Sequence, residues 1–247
     1  MTVPLAQLAA PTSETFTSIQ GEGKLAGVPS HFIRLSGCNL RCTWCDTPYA
    51  SWNPDGSAIQ LDALVRGAID SGVKYVVLTG GEPMMFPAAV PLTHALQDAG
   101  LHITIETAGT ILPADGTVAC NLISISPKLA NSTPGAGGTP DPRDPDGIWA
   151  KRHESRRLNI PVLQQLIDEH QERQLKFVVR DERDVPEIDA LLNSLKGWDD
   201  ADILLMPEGI VPPSAERKVW LTTLCISRNW RYCPRLHIEL FGNKRGT

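Results

Sequence analysis

Gly37-Cys38-Asn39-Leu40-Arg41-Cys42-Thr43-Trp44-Cys45-Asp46 is the stretch on which the reading of this chain turns. Its cysteines follow a C-x3-C-x2-C spacing. Three thiolates on so short a loop can converge on one soft metal centre. Three protein ligands suit a [4Fe–4S] cluster with one iron left open, because a fourth thiolate would close it. An open iron can bind a small molecule and do chemistry. Two other readings stand beside this one. Positions i, i+4 and i+7 share a helix face, so the three could be buried core cysteines, although Gly37, Asn39, Asp46 and Pro48 speak against a buried helix. A structural zinc site needs a fourth ligand. His31 and Asp46 are the nearest, and neither has zinc-finger spacing. Cys120, Cys225 and Cys233 have no matching spacing and read as core residues.

Outward from the cysteines, short apolar runs alternate with helical periods. His31–Ser36 reads as the strand that delivers the loop. Further strands are expected at Tyr75–Thr79, His102–Glu106, Asn121–Ser126, Lys176–Arg180, Ile203–Met206 and Leu236–Leu240, each bounded by Gly, Pro or polar residues. Leu61, Leu64, Val65, Ala68 and Ile69 share one helix face, and Gly72 is placed to cap that helix. The segments 158–171, 184–195 and 214–230 read as further helices. Strands separated by helices favour parallel pairing with right-handed crossovers. The fold class expected is α/β, a partial and irregular (β/α) barrel of mostly parallel strands. The Gly- and Pro-containing connection from Thr107 to Ala119 is too short for a crossover helix, which argues against a complete eight-fold barrel. Residues 129–147 are rich in proline and glycine and almost without apolar side chains, so a long loop is expected there. With no repeat and no clean boundary, residues 1–247 are taken as one domain.

Composition narrows the function classes. The chain has 247 residues, 42% hydrophobic and 21% charged, enough for a sizeable core. Its net charge of −5 makes a broad nucleic-acid footprint improbable, so no nucleic-acid partner is expected. No apolar run approaches the length of about 18 residues that a membrane span needs. Met1-Thr2-Val3-Pro4-Leu5 lacks a basic segment followed by an apolar stretch, so no secretory signal is expected. Six cysteines are too few for a disulfide scaffold, and a cytoplasmic location is expected.

Thr79-Gly80-Gly81-Glu82-Pro83 follows the expected second strand. Alone it is a weak turn signal. Downstream of C-x3-C-x2-C, the pair resembles the radical S-adenosylmethionine (SAM) superfamily. That resemblance implies a [4Fe–4S] cluster on Cys38, Cys42 and Cys45. It also implies SAM on the open iron, with Gly80, Gly81 and Glu82 at its methionyl amino group. The chemistry would be that of the radical released from the cofactor, with no side chain as catalyst. The protein would orient the reactants and exclude water.

Ser18-Ile19-Gln20-Gly21-Glu22-Gly23, Arg34, Cys45-Asp46-Thr47, Ser126-Pro127-Lys128 and His237 add a closer resemblance, to the 7-carboxy-7-deazaguanine synthase family, over most of the chain. The resemblance implies a pterin substrate, 6-carboxy-5,6,7,8-tetrahydropterin. Hydrogen would be removed at C6, the ring would contract with loss of ammonia, and the cofactor would be regenerated. It implies Gln20, Gly21, Glu22, Arg34, Thr79 and His237 at the substrate, Ser126 and Lys128 at SAM, and Mg2+ at Thr47. It also implies an external electron donor such as a flavodoxin or ferredoxin, and a homodimer. The residue types suit those roles. An amide and a carboxylate can pair a pterin edge, and glycine lets backbone approach a flat ring. A guanidinium matches a carboxylate as a fork, and a threonine hydroxyl is a hard oxygen for magnesium. Glu106-Thr107 and Met206-Pro207 end strands on the same rim. Two other functions compete. A glycyl-radical-enzyme activase would consume SAM stoichiometrically and need no Gln20/Arg34 pair. A non-enzymatic iron–sulfur or zinc module would leave both the Gly-Gly-Glu-Pro and the Ser-Ile-Gln-Gly-Glu-Gly motifs without a role.

Overall fold

The computed structural model describes residues 4–247; residues 1–3, part of the stretch read for a leader, lie outside the described residues. The strands are β1 (Ala9–Ile19), β2 (Pro29–Leu35), β3 (Ser57–Gln60), β4 (Tyr75–Gly80), β5 (His102–Thr107), β6 (Leu122–Ile125), β7 (Arg173–Val179), β8 (Ile203–Pro207) and β9 (Arg231–Tyr232). The helices are α1 (Leu61–Asp70), α2 (Ala89–Asp98), α3 (Ile148–Glu154), α4 (Ile160–Glu169), α5 (Val185–Asn193), α6 (Ala215–Arg228) and α7 (Leu236–Phe241). One nine-stranded sheet has the order β3-β1-β2-β4-β5-β6-β7-β8-β9. Pairing is parallel from β2 through to β9, while β1 runs antiparallel to β2 and β3. The edge strands β3 and β9 do not pair among the described residues, so the barrel is open.

The two faces of this sheet differ in chemistry. Ile33, Leu35, Leu78, Ile105, Ile123 and Phe177 point into the main core. There they meet Leu64 of α1, Leu92 and Leu96 of α2, Leu163 of α4 and Leu191 of α5. Full burial of each such side chain contributes roughly 1.5–3 kcal/mol. The alternate positions face the other way and turn polar toward the strand ends: Arg34, Thr79, Glu106, Ser124, Gln174 and Lys176. A parallel strand covered on both faces ordinarily reads as continuously apolar. Of these polar positions, Arg34, Thr79, Glu106 and Lys176 line a cavity where a second layer of helices would otherwise lie.

Local signals explain the helices. Asn159 caps α4 by accepting from the Val162 amide, and Ser214 caps α6 by accepting from the Arg217 amide. Gly72, at φ +74, follows α1 in the left-handed region. Thr107 and Leu122 are joined without a helix, as the Gly- and Pro-containing connection requires.

Three expectations are corrected. Leu236–Leu240 is helical, within α7, not a strand. Its Leu-His-Ile-Glu-Leu alternation is ambiguous over so few residues, and only Ile238 is buried. The strand read as first is the second. The eleven-residue β1 precedes it, disguised by its Thr, Ser and Pro content and its few large apolar residues. Helix α2 is additional, with Pro91 tolerated in its first turn.

Candidate active site

The polar positions of the strands, with the loops at their C-terminal ends, enclose a cavity of about 470 Å³. This is where open parallel sheets place ligands. Cys38, Cys42 and Cys45 line one wall. Leu40, Ala108 and Trp44 pack around them and keep the wall apolar. Burial, with the Glu82 carboxylate nearby, pushes the Cys38 thiol up to about 12. Burial likewise raises Cys42. Burial thus favours the neutral thiol at Cys38 and Cys42 in the metal-free chain, and metal binding there must release their protons. Among the described residues no trio of Cys, His, Asp or Glu is already drawn to metal-holding spacing. The donor set nevertheless fits an iron–sulfur cluster: three soft ligands from one loop on a shielded cavity wall. The zinc alternative loses its fourth ligand, because His31 bonds Thr17 at 3.0 Å and Asp46 is paired with Arg235.

Gly80 and Gly81 reach the cavity, whereas Glu82 lies behind it, fully buried. Its carboxylate accepts from the Met84 amide at 3.1 Å, the Thr107 hydroxyl at 2.8 Å and the Ala108 amide at 2.8 Å. It ties the end of β4 to the end of β5. A Cβ at Gly81 would overlap the carbonyl oxygen of Gly37, so glycine lets this turn close against the cysteine loop.

The opposite wall is polar. Gln20 donates to Glu106 at 3.2 Å, and Thr79 donates to the other Glu106 oxygen at 2.8 Å. Glu22 is paired with Lys176 and lies 3.2 Å from Arg235 and 4.0 Å from His237. Burial would raise its pKa, but Lys176 and Arg235 prevail and hold the carboxyl well below its usual range. Burial likewise opposes the charge on Lys176, and Glu22 and Glu106 outweigh it. His237 packs on Gly21, where a Cβ would overlap its ring. Burial lowers its pKa.

Arg34 lines the cavity, but its Nε donates to Glu14 of β1 at 2.7 Å, so a protein carboxylate already holds one edge of the fork. Glu14 also accepts from Tyr49 at 2.8 Å and from Arg245 at 3.1 Å. No protein acceptor takes the terminal nitrogens of Arg34 among the described residues. Thr47 is on the cavity wall with its hydroxyl 3.8 Å from the Cys45 sulfur. Lys128 donates to Ser126 at 2.7 Å and sits 5.6 Å above the Trp44 ring, and both line the cavity.

The sequence did not single out Lys176, Arg235, Glu14 or Arg245 as site residues, and offered Asp46 only as a zinc candidate and within Cys45-Asp46-Thr47. Lys176 had a signal: with Gln174 it forms a polar period of two inside the apolar run of β7. The others pair with residues from twenty to more than two hundred positions away, which spacing does not reveal. Residues 243–247 fold across the cavity, with Arg245 stacked 4.2 Å from Tyr49 and bonded to Asp55 at 2.8 Å.

Comparisons with known proteins point to one family and fold. Residues 32–126 match the Radical SAM superfamily model. A 7-carboxy-7-deazaguanine synthase of Rhodopirellula baltica is 48% identical, covering 95% of this chain and 88% of its own. One from Halobacterium salinarum is 43% identical, covering 97% and 93%. The crystal structure of QueE from Escherichia coli superposes with a TM-score of 0.65 at 28% identity, covering 93% of this chain and 95% of that one.

Proposed function

The chain belongs to the 7-carboxy-7-deazaguanine synthase family of radical SAM enzymes of deazapurine biosynthesis, and from that premise we propose that it converts 6-carboxy-5,6,7,8-tetrahydropterin to 7-carboxy-7-deazaguanine with loss of ammonia. The observation that carries the reading is the two-sided cavity, three thiols facing a polar wall of amide, carboxylate and guanidinium groups across about 470 Å³.

When bound, the [4Fe–4S] cluster and SAM supply the carbon radical that removes hydrogen from C6 of the pterin. This chain's residues do the rest. Cys38, Cys42 and Cys45 hold the cluster, and Gly80, Gly81, Ser126 and Lys128 bind SAM. Glu82 sets the turn that presents the two glycines. Gln20, Thr79 and Glu106 meet the pterin's donor and acceptor edge. Glu22 is kept ionised by Lys176 and Arg235 to accept from ring N–H groups. The terminal nitrogens of Arg34 receive the substrate carboxylate. Gly21 lets His237 close on the ring. Thr47 offers its hydroxyl to Mg2+ beside the cluster. Trp44, Leu40 and Ala108 keep water from the radical. The whole chain acts as one radical SAM domain, as a homodimer in the cytoplasm, with a flavodoxin or ferredoxin as reductant. No helix among the described residues is long and apolar enough to cross a membrane.

The test is anaerobic reconstitution followed by reduction with SAM and the carboxypterin, reading deazaguanine absorbance and mass. Product in excess of SAM consumed, with deuterium from C6 recovered in SAM, is expected. One deoxyadenosine released per product, or no product, overturns the reading.

A further inference from the structure

The proline- and glycine-rich segment 129–147 and the helix after it have no part in the chemistry above, yet they are not a free loop. Asn131, Ser132, Asp141 and Asp144 within the segment are buried. So is His153, 1% exposed, in α3. Asn131, Asp141 and His153 reach the cysteine loop from outside the cavity with their side chains and Ser132 with its carbonyl, while Asp144 accepts from the Trp149 and Ala150 amides at the start of α3.

The contacts take that loop residue by residue. His153 Nδ1 accepts from the Arg41 amide at 3.1 Å. The Thr43 amide donates to the Ser132 carbonyl at 2.8 Å. The Trp44 indole donates to Asn131 at 3.1 Å. The Thr43 hydroxyl donates to Asp141 at 3.0 Å, and Arg143 donates to the Thr43 carbonyl at 2.6 Å. Arg143 also stacks 4.2 Å over Trp52, whose indole donates to the Cys42 carbonyl at 2.9 Å. The far side is anchored, since Asn131 donates to the Val178 carbonyl of β7 at 3.1 Å and to Asp184 at 2.8 Å.

His153 is the centre of this arrangement, and its neighbours assign its tautomer. Because the Arg41 N–H points at Nδ1, that nitrogen must carry a lone pair. Nε2–H then faces the Ser132 hydroxyl at 2.9 Å, and that hydroxyl donates in turn to the Leu129 carbonyl at 2.6 Å. Each donor of this Arg41–His153–Ser132–Leu129 relay has an acceptor. A buried network satisfied throughout fixes one geometry.

We propose that segment 129–147, with His153 as its central peg, is a brace that holds residues 41–44 in the shape that receives the cluster, making His153 a positioning residue for cluster retention. The proposal rests on the cluster reading above. Partners that orient metal ligands typically alter metal affinity by about 10–100-fold when removed.

The test uses the reconstituted full-length enzyme. Iron release into excess chelator is timed for wild type, His153→Phe, His153→Gln, Arg143→Ala and Cys42→Ala, and amide hydrogen exchange at Arg41 and Thr43 is read on the metal-free chain. His153→Phe should release iron about tenfold faster and lose Arg41 protection. His153→Gln, with an amide oxygen for Arg41 and an N–H for Ser132, should recover most of both. Arg143→Ala, at the exposed end of the brace, keeps the test open if His153→Phe does not fold, and should release iron several-fold faster with faster exchange at Thr43. Wild-type release and protection in both His153→Phe and Arg143→Ala refute the brace, as does a His153→Gln no better than His153→Phe. Should Cys42→Ala keep a normal cluster, the cluster reading fails instead.

Discussion

Lys176 is buried on a cavity wall with its ammonium against Glu22, so replacing it has a consequence that the pair's surroundings set. Removing one partner of a buried ion pair typically costs about 3–5 kcal/mol, because the survivor is left charged in a poorly solvated place. Here Glu22 keeps Arg235 at 3.2 Å, so the loss should fall to about 2–3 kcal/mol for Lys176→Met. Glu22→Gln leaves Lys176 with only Glu106 to oppose it, and Arg235 with Asp46, so a similar loss of about 2–3 kcal/mol is expected. The double variant removes both charges and should cost little more than either single, giving a coupling of about 2 kcal/mol. For a chain of this length each kcal/mol moves the midpoint by about 2–4 °C, so each single variant should melt about 5–10 °C lower. Denaturant unfolding of the metal-free chain, repeated for all four proteins, measures the cycle. Losses that simply add would show that the two side chains do not act as a pair. A Lys176→Met chain as stable as wild type would remove the ion pair from the wall altogether.

Iron counting after single replacements by Ala should show Cys38, Cys42 and Cys45 each required for about four irons per chain, and Cys120, Cys225 and Cys233 dispensable. Arg34→Ala should lower kcat/KM for the carboxypterin by roughly 30-fold or more while leaving iron content unchanged, and Arg34→Lys should restore only part, because an ammonium cannot make the fork. Normal turnover by Arg34→Ala would mean that its bond to Glu14 is its whole role. Thr47→Ala should weaken magnesium activation with the cluster spectrum intact, and an unchanged magnesium response removes Thr47 from that site. Burial, then the nearby Arg157, lowers His153 from 6.5 to about 4. Its folded pKa lies below its unfolded one, so its contribution is complete above pH 6.5 and is lost as the pH falls toward 4. That is on the order of 3 kcal/mol. Denaturant unfolding at pH 7 and pH 4 should show a steeper loss for wild type than for His153→Gln, and parallel losses contradict the assignment.

The sequence by itself determined the cysteine loop, the Gly-Gly-Glu-Pro turn and the alternating α/β order. Each is a local matter: three thiols within eight positions, a turn that only glycine can close, and apolar runs whose length limits them to strands. Strand alternation also sets Phe32 and Arg34 on one face of β2 and Ile33 and Leu35 on the other, which needs no tertiary information. The errors in reading the sequence were local too. Leu236–Leu240 is too short for its period to separate helix from strand, and β1 carries too few large apolar residues to announce itself.

Only the tertiary structure decided which partners the charges take. Arg34 meets Glu14 because β1 pairs antiparallel with β2, a pairing that no spacing in the chain encodes. Glu22 gathers Lys176, Arg235 and His237 from more than 150 residues away, and their summed field, not the local sequence, keeps it ionised in a buried place. The segment 129–147 shows the same limit from the other side. Its composition reads as an unstructured loop, since proline, glycine and polar residues bury little apolar surface. Its order comes from hydrogen bonds to the cysteine loop and to β7, and those exist only once both are in place.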